Sequence, residues 1–503
     1  MTTWLVVLPV LLPLLAAGVS LTLARRAAAQ RLFTVVVLTV VLADAVALLL
    51  RVDRDGTAVV AAGGWAPPLG IALVADLLAA LLLTVAVLVA LAVLVFAVGQ
   101  GTAGDSSETA VPFHPAYLLL VGGIGLAFLS GDLFNLFVAF EVMLASSYVL
   151  ITLNAGEARV QAGMTYTMTS LTSSLLFLTA IALLYAATGT VSFAELAERT
   201  AGLPGGVRTA LASFLLVVFG IKAAVVPLHF WLPDSYPTAP APITAVFAAL
   251  LTKVGVYAMV RTQTLLFPRD DVWWLLVGAS VVTMLIGILG AIAQDNINRL
   301  LSFTLVSHIG FMLFGLALSD AAGLNGTILY VVHHIIVQAS LFLVTGLVVA
   351  RTGTSALHRM ESGEDEGGAS PLVTVLFILP ALSLAGLPPF SGFIAKFALL
   401  RAAAADGGSA AWLLSGAALV TSLLTLYAMI RVWRAVSAPA ARRTEAVGAG
   451  GRTLTVGATS GMVLAGLAVA VFAGPLSRVT ERAADDLNRP ETYRHAVTAE
   501  EHG

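Results

Sequence analysis

Apolar runs long enough to cross a lipid bilayer dominate this chain. About fourteen of them recur along its 503 residues, each near the ~20 residues that a helix needs to span ~30 Å of hydrocarbon. In lipid every backbone N–H and C=O must be satisfied within the protein, so a chain that crosses repeatedly in such runs has to be helical. The sequence therefore predicts an all-α membrane protein with about fourteen transmembrane helices, at approximately 4–22, 32–50, 71–97, 115–131, 133–153, 164–186, 208–231, 241–263, 272–293, 300–318, 325–350, 371–400, 410–434 and 454–475.

The segments between these runs are short. The main polar excursions are Gly99–Pro115, Ala187–Arg208, Arg351–Ser370 and Arg431–Arg452, which we interpret as solvated loops, and we expect a short charged tail after about Ser477. No excursion is long enough for a soluble domain.

The first run carries no positive segment before it and is followed by Arg25, Arg26 and Arg31. This pattern is typical of a retained first helix with its N-terminus outside the cell. An even number of spans then places both termini on the outer side of the plasma membrane.

Composition and motifs argue against enzymatic chemistry. The chain has no cysteine and a net charge of −2, which excludes disulfides and thiolate metal sites and gives no reason to expect nucleic acid. It carries no GxGxxG, P-loop, GxSxG or HExxH motif in context, so we expect no cofactor and no metal. His333 and His334 are adjacent and point ~100° apart around a helix, which is poor geometry for shared metal ligation. Haem ligation by histidines on separate helices stays open, but it would leave the lysines below unexplained.

The chain's only three lysines, Lys222, Lys253 and Lys396, all lie inside apolar runs, whereas its 23 arginines fall in connecting segments, at helix ends or in the tail. A charge at the bilayer centre costs roughly 2.5–3.5 kcal/mol on insertion scales. Burial can also lower the proton affinity of lysine enough for exchange near neutral pH, whereas arginine stays charged. The distribution predicts that these lysines gain and lose protons.

Two of the lysines lie beside prolines that interrupt their helices. Pro227 follows Lys222, and Pro388 and Pro389 precede Lys396. A proline inside a helix frees a carbonyl, and unwound backbone at membrane depth is tolerated only where it is buried or lines a wet cavity. Paired interruptions of this kind indicate a transport site; packing kinks are the plainer alternative.

Polar residues follow the first interruption directly. His229, Trp231 and Asp234 stand where the seventh helix is expected to unwind. They could form a polar gate or cap the broken helix.

Glu141 is the clearest mid-membrane glutamate of the chain. An ionised carboxylate at this depth needs a partner, and we expect it to pair with Lys222. The alternative is that Glu141 only locks the packing of its helix. Asp76 is expected near the membrane interface, and Asp44 has no assigned role.

Three histidines inside apolar runs, His308, His333 and His334, lie between Lys253 and Lys396 in sequence. A single intramembrane histidine is often a hydrogen-bonded packing residue, but three between two buried lysines better suit a proton relay. His334 shares a helix face with Gln338, four residues further on.

These residues together carry a family resemblance. The run from Lys222 through Pro227, His229 and Trp231 to Lys253 resembles the antiporter-like subunits shared by Mrp cation/proton antiporters and respiratory complex I. Glu141 in FNLFVAFEVMLASSYVLITL and Lys396 in LAGLPPFSGFIAK match two further hallmarks. The likeness covers almost the whole chain, and the Mrp complex member that it most resembles is the D-type subunit.

The resemblance implies two inverted five-helix repeats, the fourth to eighth and ninth to thirteenth helices, each with a broken helix. Residues 1–112 would then form an N-terminal three-helix segment, 113–263 and 264–436 the repeats, and 437–503 the last span and tail. It also implies a midplane proton path along Glu141, Lys222, Lys253, the histidines and Lys396. Gln338 departs from relatives that often carry a lysine there, which puts more weight on His334.

The expected function is that of a proton-translocating subunit of a multi-subunit Na+/H+ antiporter, with other membrane subunits as partners. One alternative is a proton-pumping subunit of a complex I type oxidoreductase, resembling its M or N subunits. Another, of a different class, is a non-transporting membrane scaffold.

Overall fold

The computed structural model describes residues 2–65, 70–103, 107–153, 156–267, 272–362, 370–438 and 449–499. The helices are α1 (Thr2–Thr22), α2 (Ala27–Asp55), α3 (Leu77–Gln100), α4 (Ser107–Leu129), α5 (Leu133–Thr152), α6 (Glu157–Thr188), α7 (Phe193–Arg199), α8 (Gly205–Ala223), α9 (Trp231–Ser235), α10 (Ala241–Val246), α11 (Thr252–Arg261), α12 (Trp273–Ile292), α13 (Ile297–Leu318), α14 (Ala321–Thr352), α15 (Leu357–Ser362), α16 (Pro371–Ala385), α17 (Ser391–Asp406), α18 (Ser409–Val436), α19 (Ala449–Val471), α20 (Ala473–Leu487) and α21 (Pro490–Ala499).

Thirteen helices in the described ranges are long and apolar enough to cross a membrane. The run predicted at 371–400 is not one of them, because it is divided into α16 and α17 by a non-helical segment. Of the two parts, α16 is a shorter apolar helix of 15 residues. The prediction of an all-α membrane protein is therefore confirmed.

Helix α14 forms the centre of the bundle. Its apolar window is buried throughout, and it packs against α13, α16, α17, α19, α3 and α10. The side chains in this window are consequently shielded from lipid on every side.

A short hairpin interrupts the helical architecture before α3. Strands β1 (Ala58–Ala61) and β2 (Ala72–Ala75) pair antiparallel, with Ala58 opposite Ala75. The predicted third helix, 71–97, therefore begins with a strand and becomes helical only at Leu77. Gly131 donates to the Ala72 carbonyl at 2.9 Å, which ties the hairpin to the α4–α5 turn.

The expected loop Gly99–Pro115 is wrong, because α3 continues to Gln100 and α4 begins at Ser107. Pro112 and Pro115 lie inside α4, which packs against α1 and α5; tertiary contacts here outweigh the low helix propensity of proline. Residues 104–106 lie outside the described ranges.

The other polar excursions contain short helices. Ala187–Arg208 includes α7, and Arg351–Ser370 includes α15. The acidic segment at 363–369, and 439–448 within Arg431–Arg452, lie outside the described ranges.

The tail is more structured than the expected short charged end, because it folds into α20 and α21. Thr480 Oγ1 donates to Asn325 Oδ1 at 2.6 Å, and ion pairs join Arg482 to Asp53 and Arg494 to Glu198. These contacts attach the tail to the end of the bundle where α2 ends and α14 begins.

Beneath this tail lies a buried ion pair between Arg261 and Asp76, which are 3% and 5% exposed. Asp76 also caps α3 by accepting from the Ala79 N–H at 2.9 Å, and Arg261 Nε donates to the Tyr257 hydroxyl at 2.9 Å. Asp76 therefore does not reach solvent, and Arg261 is a buried arginine at a helix end.

We predict that Asp76→Asn destabilises the protein by about 3–5 kcal/mol, because it removes one charge of a buried pair and leaves the other uncompensated. Asparagine keeps the acceptor that caps α3, so the loss reports the charge. Thermal unfolding in detergent measures the effect.

The matched control is Asp53→Asn, which breaks a more exposed pair with Arg482 and is expected to cost ~0–1 kcal/mol. Equal effects of the two substitutions would contradict the importance of the buried pair.

Candidate functional site

The seventh predicted helix ends where the sequence placed its break. Helix α8 stops at Ala223, and Ala224 takes a left-handed conformation with φ of 60°. The Val226–Pro227 peptide that follows is cis. Lys222 thus lies in the last turn of a half-helix that ends inside the predicted span 208–231.

The polar residues after this break make different kinds of contact. The Trp231 indole donates to the Ile221 carbonyl at 3.0 Å, across the non-helical segment. His229 packs edge-on against Phe303, with ring centroids 6.3 Å apart, and Asp234 pairs with Arg299 at 2.9 Å on an exposed surface. Only the contact of Trp231 reaches the end of α8, as a cap would; Asp234 contacts α13 instead.

Glu141 and Lys222 are joined by a third residue. Lys222 Nζ donates to Ser174 Oγ at 2.9 Å, and Ser174 Oγ donates in turn to Glu141 Oε1. The Lys222 ammonium also lies 5.0 Å from the centroid of the Phe140 ring. The expected pairing of Glu141 with Lys222 therefore takes an indirect form, through a hydroxyl.

A cavity of about 40 Å³ opens beside this group. It is lined in part by Lys222, Tyr166, Ser170, Trp231 and Leu251. A site of this size and polarity has room for water.

Lys253 lies at a distortion that the sequence did not reveal. Between α10 and α11 the chain makes a π-helical turn at Phe247–Leu251, and Lys253 Nζ donates to the Ala248 carbonyl in that turn at 2.6 Å. The side chain is fully buried. Such π turns occur frequently at functional sites.

Lys396 lies just after the second break. Helix α16 ends at Ala385, Gly386 is left-handed with φ of 88°, and Pro388–Pro389 is cis. Lys396 Nζ donates to the carbonyls of Leu384 and Ala385, at 3.0 Å each. These are the two carbonyls that Pro388 and Pro389 free from helical pairing, so the lysine satisfies the broken helix.

The histidines form one buried cluster with Tyr330. His308 Nδ1 and the Tyr330 hydroxyl are 2.7 Å apart, and the rings of His308 and His334 lie 5.3 Å apart, centroid to centroid. His308 Nε2 lies 3.4 Å from Thr425 Oγ1. All three histidines are fully buried.

His333 connects this cluster to the second break. Its Nδ1 is 2.9 Å from Ser391 Oγ, the first residue of α17 and five residues before Lys396. Neither ring nitrogen of His334 has a hydrogen-bond partner within the described residues, and neither does Nε2 of His333. Gln338, the departure noted in the sequence, donates to the Leu301 carbonyl at 3.0 Å.

The helices that carry Lys222 and Lys253, α8 and α11, pack against each other. They approach most closely at Gly255, where an added Cβ would lie 2.8 Å from the Ala223 nitrogen. This glycine allows α11, which carries Lys253, to approach the end of α8 next to Lys222.

The remaining acidic groups do not converge on this chain of residues. No group of three or more histidine, aspartate or glutamate side chains suited to a metal ion is found within the described residues. Asp44 lies half-buried on α2, which packs mainly against α1, α3 and α4, apart from the lysine-bearing helices.

Sequence reasoning missed Ser174, Tyr330, Ser391 and Thr425. Tyr330 precedes His333 by three residues, so helical spacing alone could have found it. Ser391 adjoins the proline pair in PPFSGFIAK, which is also a usable signal. Ser174 is one of several hydroxyl residues on α6, and nothing in the sequence distinguishes it.

Comparison with known proteins places the chain in a family. The family model described as NADH:quinone oxidoreductase/Mrp antiporter, TM, matches residues 130–425, a range that contains Glu141, the three lysines and the three histidines. The chain is 38% identical over 435 residues to the D subunit of the Na+/H+ antiporter of Alkalihalophilus pseudofirmus, covering 85% of this chain and 86% of that protein.

Two solved structures are similar to this chain. A chain of the Mrp complex from Dietzia sp. DQ12-45-1b superposes with a TM-score of 0.90 at 33% identity, covering 99% of both chains. A chain of respiratory complex I from Thermus thermophilus shares the fold, with a TM-score of 0.79 at 23% identity over 97% of this chain and 99% of that one. The chain therefore belongs to the transmembrane family of NADH:quinone oxidoreductase and Mrp antiporter subunits.

Proposed function

We propose that this chain is a proton-translocating subunit of a multi-subunit Na+/H+ antiporter. Relatives named as the D subunits of such antiporters, and the likeness to a chain of an Mrp complex, support a transporter subunit with other membrane subunits as partners. The plasma membrane is its location, with both termini on the outer side, and residues 113–263 and 264–436 act as two inverted repeats.

The observation that carries the proton path is the kind of partner that each of the three lysines has. Lys253 and Lys396 donate to backbone carbonyls, and Lys222 donates to a serine hydroxyl. A neutral amine can keep such contacts, so a lysine can lose its proton without leaving an unpaired carboxylate in direct contact. The buried Arg261, in contrast, pairs directly with Asp76 and stays charged.

Protons then move in a defined order. Glu141 controls the charge of Lys222 through Ser174, and a change at Lys222 acts on Lys253 across the close contact of α8 with α11. Lys253 acts on His308 and His334, and Lys396 completes the path beside His333 and Ser391. The electrostatic interaction between successive residues of the path is strong because the interior of the bundle has a low dielectric constant.

The cation takes a separate route. A Na+ site would need several oxygen ligands, and no cluster of carboxylates accompanies the lysine chain in the described part of the protein. We propose that the cation path runs partly through another subunit of the complex.

A complex I type proton pump is the second candidate, favoured by the shared fold with the Thermus thermophilus chain. The higher identity and TM-score of the Mrp chain favour the antiporter. Copurification discriminates between them: small Mrp-type membrane subunits support the antiporter, and flavin and iron–sulfur subunits support the pump. A membrane partner without ion flux would support the scaffold alternative.

We predict that Glu141→Gln abolishes cation/proton exchange while the complex still assembles, because glutamine keeps the hydrogen bond with Ser174 but carries no charge. The measurement is the dequenching of a ΔpH dye in everted vesicles that contain all subunits, across a Na+ and K+ series. Asp234→Asn, at the exposed pair with Arg299, is the control and should exchange normally. Normal exchange by Glu141→Gln would refute the path.

We predict that Lys222→Arg also assembles and loses exchange. The cavity beside Lys222 leaves space for the larger guanidinium, but arginine does not release its proton. Exchange in vesicles over a range of pH measures the loss. Arg299→Lys, on the exposed surface, is the reciprocal control and should leave the exchange rate unchanged. A wild-type rate for Lys222→Arg would show that exchange does not require Lys222 to release its proton.

A further inference from the structure

Ser174 lies between the two ionisable groups of the first half of the site. It is only 4% exposed, and it lies on α6, whereas Glu141 lies on α5 and Lys222 on α8. No direct ion pair joins the Lys222 ammonium to the Glu141 carboxylate within the residues that the structure describes. The hydroxyl is the only hydrogen-bonded connection between them in that part of the chain.

The bonding of Ser174 differs from that of its neighbours on α6. Thr172 and Thr179 donate to the carbonyls of Met168 and Leu175, four residues earlier in the same helix. Such back-bonding is the ordinary fate of a hydroxyl in a membrane helix. Ser174 instead donates to Glu141 and accepts from Lys222, so its hydrogen bonds serve two other helices.

The adjacent Ser173 shows what a structural hydroxyl does here. Ser173 is fully buried and donates to the Val218 carbonyl at 3.2 Å, which links α6 to α8. Ser173 therefore already supplies a hydroxyl contact between α6 and α8 next to Ser174. The position of Ser174 between an acid and a base is not needed for that purpose.

We propose that Ser174 is a positioning and relay residue that passes the proton between Lys222 and Glu141. This proposal rests on the proposed proton path. In the step, the Nζ–H bond of Lys222 breaks as an Oγ–H bond forms on Ser174, and the original Oγ–H bond breaks as an Oε1–H bond forms on Glu141. The products are a neutral amine and a neutral carboxylic acid, and the serine gains no net charge.

The hydroxyl also controls the strength of the pair. In a direct contact the charges of Lys222 and Glu141 would stabilise one another fully and oppose proton loss from the lysine. An intervening hydroxyl keeps them hydrogen-bonded but separated, so that the lysine can be deprotonated during a cycle. After the transfer the Ser174 hydroxyl donates to Lys222 and accepts from Glu141. The direction of its two hydrogen bonds therefore depends on which group holds the proton.

Threonine and valine substitutions at this position separate chemistry from shape. Ser174→Thr keeps the hydroxyl, whereas Ser174→Val has nearly the same volume as threonine and no hydroxyl. In vesicles containing the complete complex we expect Ser174→Thr to exchange near the wild-type rate. Ser174→Val should be slower by roughly 10- to 100-fold, the factor that corresponds to one hydrogen bond to a charged group, with a changed pH profile.

Thr172→Val is the matched control, because it removes a hydroxyl on α6 that bonds only within its own helix, and its rate and pH profile should remain those of the wild type. If Ser174→Val fails to assemble, Ser174→Ala is measured in its place. If the hydroxyl-free variant keeps the wild-type rate and pH profile while Glu141→Gln is inactive, the relay role of Ser174 is refuted and the proton path is not. Normal exchange by Glu141→Gln would overturn the proton path on which that role depends.

Discussion

A charge buried in a low-dielectric bundle has to be compensated nearby, and this requirement decides how the helices of this protein are built. Arg261 is compensated by a carboxylate, which fixes a permanent ion pair beneath the tail. The three lysines donate to neutral oxygens instead, and for Lys253 and Lys396 those oxygens are available because a helix is irregular. The π turn offers the Ala248 carbonyl, and the second break offers those of Leu384 and Ala385. Irregular backbone and buried lysine therefore occur together for one physical reason.

The central helix α14 connects these irregular elements. It is enclosed by other helices, so its two histidines and Gln338 are kept from lipid and water alike. Tyr330 and His333 on this helix contact α13 on one side and α17 on the other, through His308 and Ser391. The contacts among His308, Tyr330, His333 and Ser391 all depend on this one helix. The connection between Glu141 and Lys222 depends on a single serine.

The sequence predicted the parts of this arrangement that are local. Apolar length identifies spans, proline identifies the breaks at Pro227 and Pro388, and the confinement of lysine to spans identifies the candidate proton carriers. The parts that it missed are tertiary. The π turn before Lys253 lies in an ordinary apolar run, and Ser174 owes its role to two helices that are distant in sequence. The helices of the tail, and the helical ends of the expected loop Gly99–Pro115, were missed because their stability comes from tertiary packing rather than from helix propensity.

The contact of Lys396 with its own broken helix couples a proton to the shape of the chain. The ammonium holds two carbonyls at the end of α16, while Pro388 and Pro389 at the same break are exposed on the perimeter of the protein. Thermodynamic linkage is reciprocal, so a contact that alters the geometry of the break must alter the proton affinity of Lys396, and protonation must alter the break in return. A neighbouring protein that touches the two prolines would therefore sense a single proton without approaching the lysine itself.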